Sequence, residues 1–271
     1  MDLHDFDARF PRSSNYAREW ICEGGMGGNP LWQTEWLCEK LDLRAGMRVL
    51  DLGCGRAKSS IFLAREFGVQ VWAADLWIAA TENWRRIRDA DMDDRIFPLH
   101  CDARGLPFAA EFFDAVVAVD CYSYFGTDDL YLNYLTQFVK DRGQIGVAGA
   151  GLMEELPSPV PEHLRTFWTQ DAWSLHSAAW WRRHWERTGL LDIEAADAMS
   201  DGWRLWSAWH RIAWPDNTAE IEAVEMDAGR YLGYFRMVGR RRPGMPLAEY
   251  AWPDSLRSFP QQVESKRMLR D

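Results

Sequence analysis

Short apolar runs alternate with stretches in which apolar residues recur every three or four positions, and this alternation organises the chain from about residue 47 to residue 150. The runs near 47–52, 69–74, 95–101, 114–120 and 143–149 predict strands, and the rhythms around 56–67, 78–90 and 128–140 predict the helices between them. Strand and helix in alternation give an α/β fold with a parallel sheet covered on both faces. Later runs at 190–196 and 231–238 predict a sixth and a seventh strand. From Arg240 onward Pro, Arg, Gln and Ser are frequent, which predicts a loosely packed tail over 240–271.

The sharpest local signal is VLDLGCGRAKSSIFLA at 49–64, where a strand-like run breaks at Gly53-Cys54-Gly55 and a helical rhythm follows at Ile61, Phe62 and Leu63. Two glycines let the backbone turn tightly against a ligand, and the new helix presents unpaired N–H groups there. A dinucleotide fingerprint would have a third glycine where this chain has Lys58, and its pyrophosphate would face the carboxylate of Asp51. A ligand with an ammonium group suits Asp51 better, and Asp75, about 20 residues beyond the turn, suits a ribose. S-adenosylmethionine has both groups and no phosphate.

Here the chain resembles the class I S-adenosylmethionine-dependent methyltransferases. LDLGCG is similar to the family's first motif, AADLW to the acidic end of its second strand, and HCDARGLPFAAEFFDAVVAVD to its third and fourth motifs. The resemblance implies a Rossmann-like seven-stranded sheet, mostly parallel, with the last strand antiparallel between the fifth and sixth. It implies that Asp51, Gly53, Cys54 and Gly55 surround the methionine moiety, that Asp75 accepts from the ribose hydroxyls and that Leu76 lies against adenine. Asp102 would accept from the adenine amino group beside Ala103, Asp120 and Cys121 would border the sulfonium, and Tyr16 would reach the cofactor's carboxylate. Arg56-Ala57 departs from the Thr-Gly pair common at that turn.

Composition narrows the partners. A net charge of −10 disfavours nucleic-acid phosphates, and no run approaches the ~18 apolar residues of a membrane span. Five cysteines without a Cys-x-x-Cys pair read as reduced thiols, and with the acidic, signal-free start they predict a cytoplasmic protein. No group of His, Cys and carboxylates stands at metal-ligand spacing, so no metal is required. The oligomeric state and the acceptor atom stay open.

Nine of the sixteen tryptophans fall within 168–214, and Trp20, Trp32 and Trp36 precede the first strand. In the resembling fold these regions flank the catalytic rim, which predicts a Trp-rich helical cap. Four units follow: an N-terminal helical lid (1–44), the cofactor core (45–150), the remaining strands with the cap insertion (151–239) and the tail (240–271). DAWSLHSAAWWRRHWERTG sets Trp173, Ser177, Trp181 and Trp185 on one helical face and His176, Trp180 and His184 on its neighbour; a second short helix carries Trp203, Trp206 and Trp209. The indoles are either cap packing or an enclosure for a flat or cationic substrate. Trp32, Trp180 and Trp181 are the substrate-binding candidates, and GGMGGNPLW at 24–32 reads as a closing loop.

Methyl transfer from a sulfonium is an in-line displacement, and a base is needed only where the acceptor carries a proton to lose. His176 is the candidate base, with Tyr122 and Tyr124 of DCYSYFG as hydrogen-bonding groups beside the acceptor; His163 reads as a packing residue. The tyrosine-rich loop is most similar to the branch holding small-molecule methyltransferases and cyclopropane fatty acid synthases. The acidic chain shows no basic amphipathic helix for a membrane surface, which ranks a soluble small molecule ahead of a lipid. A non-catalytic S-adenosylmethionine-binding protein with a tryptophan interface, and a nicotinamide enzyme, are the other readings.

Overall fold

The computed structural model describes residues 8–245. Its strands are β1 (Arg48–Leu52), β2 (Gln70–Asp75), β3 (Ile96–His100), β4 (Phe113–Val119), β5 (Val139–Leu152), β6 (Leu191–Met199) and β7 (Leu232–Arg241), in the sheet order β3-β2-β1-β4-β5-β7-β6. Pairing is parallel from β3 across to β5, and β7 runs antiparallel to both β5 and β6. This is the mostly parallel seven-stranded sheet expected from the sequence.

Helices that bear on the site are α1 (Arg18–Cys22), α2 (Pro30–Cys38), α3 (Lys58–Phe67), α4 (Ala80–Asp89), α5 (Ser123–Gly126), α6 (Tyr131–Thr136), α7 (Ala178–Glu186), α8 (Gly202–Ala213) and α9 (Thr218–Asp227). The two-residue period of the strands divides the interior. Val49, Val71, Ala73, Ala115 and Val117 pack with α2 and α3, while Leu50, Leu52, Ala74, Val116 and Ala118 pack with α6 and α7.

Three expectations change. The rhythm read over 128–140 ends at Thr136, because Val139 already pairs with Phe113 as the first residue of β5. The N-terminal unit is not a lid as a whole: α2, capped by the Asn29 side chain accepting from Leu31 and Trp32, is buried from Leu31 to Cys38 against the sheet. Arg240 and Arg241 belong to β7 and not to a loose tail. Their guanidinium groups are held by carboxylates, Arg240 by Asp42 at 2.5 Å and by Glu194, Arg241 by Glu111 at 3.1 Å. The tail from residue 246 lies outside the described residues. Among the described residues no helix is long and apolar enough to cross a membrane.

Candidate active site

Every strand from β1 to β5 points its carboxyl end at one rim, where open α/β sheets bind ligands. At that rim the chain leaves β1 through Gly53, whose φ of +70° suits glycine; a Cβ there would sit 2.5 Å from the Cys121 sulfur. Gly55 N–H donates to Asp75 Oδ2 at 2.8 Å, which locks the turn to the end of β2. Over this turn lies a cavity of about 260 Å³.

Nine of the eleven expected cofactor residues line it. Gly53, Cys54 and Gly55 form its floor, Asp75 and Leu76 its β2 side, Asp102 and Ala103 its β3 side, and Asp120 and Cys121 its β4 side. The Asp75 carboxylate accepts N–H groups from Gly55, Trp77 and Ile78, which leaves acceptor capacity for a hydroxyl. Asp102 is bound bidentately by Arg104 at 3.0 and 2.7 Å. Burial alone would raise its pKa, and the Arg104 guanidinium and N–H outweigh this and lower it. Trp77, 60% exposed, lines the cavity beside Leu76 and adds a ring face.

Asp51 and Tyr16 do not line it. Asp51 is buried behind the turn, where its Oδ2 accepts from the Ser59 and Ser60 hydroxyls at 2.7 and 2.6 Å; Ser59 is the residue that faces the cavity. Burial pushes Asp51 up to about 6, and an ammonium group in the cavity would favour its charged form. Its charge therefore acts from one layer back. Tyr16 instead donates to Glu66 at 3.0 Å, in the last turn of α3 and about 12 Å along that helix from Lys58.

The sequence pattern marks the 24–32 glycine segment as a closing loop but assigns Lys58 and Arg56 no part in closing the site. Lys58 donates to the carbonyls of Ile21 and Glu23 at 2.6 and 2.5 Å, tying α1 to the cofactor turn, and burial lowers its pKa to about 8. Arg56 lines the cavity with a buried Nε that has no hydrogen-bond partner. An orphaned guanidinium nitrogen beside a glycine turn fits a ligand carrying a carboxylate. The glycine segment at 24–28 is fixed from two sides, Gly28 N–H donating to Asp120 Oδ2 at 2.8 Å and Trp209 Nε1 donating to the Gly27 carbonyl at 3.0 Å.

A second cavity, of about 460 Å³, lies between this segment, the 166–175 turns, α8 and α9, and it shares Met26, Gly28, Asp120 and Tyr124 with the first. Asp120 joins the two. It holds a left-handed φ of +57°, uncommon for a residue with a side chain, while its carboxylate accepts from Gly28 and Ala150. On the far wall His210 is 5% exposed; its Nδ1 lies 3.5 Å from Glu220 Oε1 and makes no hydrogen bond. Burial lowers its pKa, against the pull of Glu220 and Asp120. Its sequence signal is the four-residue step from Trp206, which sets both on one face of α8.

Tyr124, 58% exposed and 5.9 Å from the Trp77 ring, lines both cavities as expected of a group near an acceptor. The other catalytic and substrate candidates lie elsewhere. Tyr122 is buried against Trp181 and Trp185, and burial pushes its phenol pKa up. His176 stacks on Trp180 at 3.7 Å and binds Glu155 at 2.9 Å, lining neither cavity. Trp181 is 0% exposed, 5.8 Å from Phe235 in the core, and Trp180 is half-buried between His176 and His184. Trp32 packs between Phe10 and Trp209 beneath the glycine segment. His163 binds the buried Asp227 at 2.9 Å and ties the cap together. Among the described residues no group of His, Cys, Asp and Glu is arranged to hold a metal.

A family model for a methyltransferase domain matches residues 49–143, which hold the glycine turn and strands β1 to β4. Methyltransferase GfsG of Streptomyces halstedii is 30% identical over 168 residues, 60% of this chain and 60% of that protein. The match thus spans less than two thirds of the relative's length. Among solved structures, phosphoethanolamine N-methyltransferase 2 of Haemonchus contortus in complex with S-adenosyl-L-methionine superposes with a TM-score of 0.70 at 19% identity, covering 89% of this chain and 60% of that one. Geranyl diphosphate C-methyltransferase of Streptomyces coelicolor A3(2) superposes with a TM-score of 0.60 at 20% identity, covering 77% and 78%. At these identities the superpositions speak for the fold, and the motifs, sheet order and family match agree with it. Residues 49–143 thus carry a methyltransferase domain, and the fold is that of the class I S-adenosylmethionine-dependent methyltransferases, whose cofactor is S-adenosylmethionine.

Proposed function

We propose that this chain methylates a small molecule held in the 460 Å³ cavity and that His210 takes the proton the acceptor gives up. The observation that carries this reading is the junction: both cavities are bounded by Asp120 and Tyr124 at the carboxyl end of β4. When bound, S-adenosylmethionine supplies an electrophilic methyl group. Asp75 is suited to its ribose, Arg56 to its carboxylate, Leu76 and Trp77 to its base, and the Asp51 charge to its ammonium group.

The glycine segment and α8 bound the second cavity beside the junction, which favours a displacement that needs alignment more than covalent help. Burial favours the neutral form of the His210 imidazole, which is a proton acceptor, and an acceptor N–H or O–H that passes its proton to it keeps its electron pair for the new bond. Five unpaired thiols support a reducing compartment such as the cytoplasm, and the charge of −10 supports a small-molecule partner over nucleic acid.

The test is acceptor-dependent release of S-adenosylhomocysteine from a small-molecule library, with calorimetry for cofactor uptake. Binding of the nucleoside together with turnover of a soluble acceptor is expected. Transfer confined to extracted phospholipid, uptake of NAD instead, or cofactor binding without turnover overturns the reading.

A further inference from the structure

The second cavity carries an unbalanced charge. Three carboxylates line it, Asp120, Asp171 and Glu220, and among the described residues no lysine or arginine does. Its apolar walls are aromatic: Tyr124, Phe167, Trp206, Trp214 and Tyr234. Ring faces and carboxylates both attract cations, and a wall without a cationic donor gives an anion nothing to pair with.

Two of the three carboxylates are already oriented. Glu220 accepts from Trp206 Nε1 at 2.8 Å and from Asn217 Nδ2 at 2.6 Å, and Asp120 is held by two backbone N–H groups. Both therefore bring charge to fixed places. His210 adds an independent sign of a ligand, since it is a buried side chain on the cavity wall whose Nδ1 has no hydrogen-bond partner.

We infer that the acceptor site selects an ammonium-bearing molecule, held by Glu220 and Asp171 against the Trp206 and Trp214 rings, and rejects phosphorylated or carboxylated acceptors. This rests on the second cavity being the acceptor site. Burial lowers the His210 pKa, which disfavours an opposing positive charge there. An amine acceptor also carries the proton that His210 is placed to receive.

The test loads the protein with S-adenosylhomocysteine and titrates three probes of one shape and different charge: choline, 3,3-dimethylbutan-1-ol and 3,3-dimethylbutanoate, read by tryptophan fluorescence and ligand-observed NMR. Choline is expected to bind at least about tenfold more tightly than the neutral alcohol, in keeping with cation–π and carboxylate attraction in a partly desolvated site, and the carboxylate is expected not to bind. Glu220→Gln and Asp171→Asn should each shrink the choline preference at least about threefold, the change expected from one lost charge near the surface, with S-adenosylhomocysteine affinity unchanged. Equal binding of choline and the alcohol, tighter binding of the carboxylate, no choline binding at all, or a preference that survives both substitutions overturns the inference. A protein that turns over soluble acceptors but prefers the neutral probe loses only this inference, whereas one that binds no nucleoside loses the function itself.

Discussion

Helices α7 and α8 are equally rich in tryptophan and serve opposite purposes. In α7, Trp181 and Trp185 are both 0% exposed and fill the core against Tyr122 and Phe235. In α8, Trp206 and His210 line the second cavity, and Trp209 holds the glycine segment that bounds it. Connectivity decides between them. The chain leaves β5 at the catalytic rim and must return to the opposite edge to start β6, so α7 lies along a sheet face. Helices α8 and α9 sit inside the antiparallel link from β6 to β7, which turns at the rim itself, so they project over the site. A helical aromatic stripe says that a face is covered, and topology says by what.

The comparison breaks most visibly at Trp181. Trp181→Ala should cost about 3–5 kcal/mol of stability, read by denaturant unfolding, as for other large buried side chains. Cofactor affinity, measured below the melting range, should stay within about threefold, because the indole is a layer away from either cavity. A selective rise in acceptor KM without loss of stability would move α7 back into the cap.

For α8 the largest expected effect is on rate. His210→Gln should lower kcat on the order of 10²-fold and leave S-adenosylhomocysteine affinity unchanged, as for loss of a general base. The pH profile separates this from a packing defect. The neutral ring is the active form and burial lowers its pKa from 6.5, so the wild-type rate should hold through pH 7 and fall at some pH below 6.5 as the ring gains a proton. That acid limb should vanish in the variant. If it persists unchanged, another group accepts the proton.

The contrast also explains what was legible in the sequence. Strand–turn–helix continuity places Gly53, Cys54 and Gly55 within a few residues of one another, and Asp75 ends a strand while Asp102 and Asp120 each follow one, so the carboxyl-end rule alone puts them at the rim. Asp51 was readable as a carboxylate near the turn, but not as one behind Ser59 and Ser60, because which side of a strand faces the ligand depends on the twist of the sheet and the helix laid over it. The second cavity was hidden for a different reason. Its walls come from segments as distant as Gly28 and Tyr234, and nothing local marks His210 over His176, which has its own tryptophan four residues on. Glu155 satisfies His176 through a contact 21 residues long, while His210 Nδ1 is left without a bond, a difference visible only after folding.

A milder pair of substitutions compares the helices without unfolding either. Trp206 lies 5.6 Å from the Tyr234 ring and spends its Nε1 on Glu220, so Trp206→Phe keeps an aromatic wall but frees the carboxylate that faces the acceptor. Acceptor KM should rise severalfold, about 1 kcal/mol for the lost hydrogen bond, with cofactor Kd unchanged. Trp180→Phe on α7 removes part of a stack between two histidines and touches neither cavity, so it should shift the melting temperature slightly and KM not at all. Steady-state kinetics and thermal melts on both variants give four numbers, and the division of labour holds only if KM moves with α8 alone. Equal KM shifts would mean that acceptor binding senses the packing of the whole sheet, and the distinction between crossover and rim helices would lose its functional meaning.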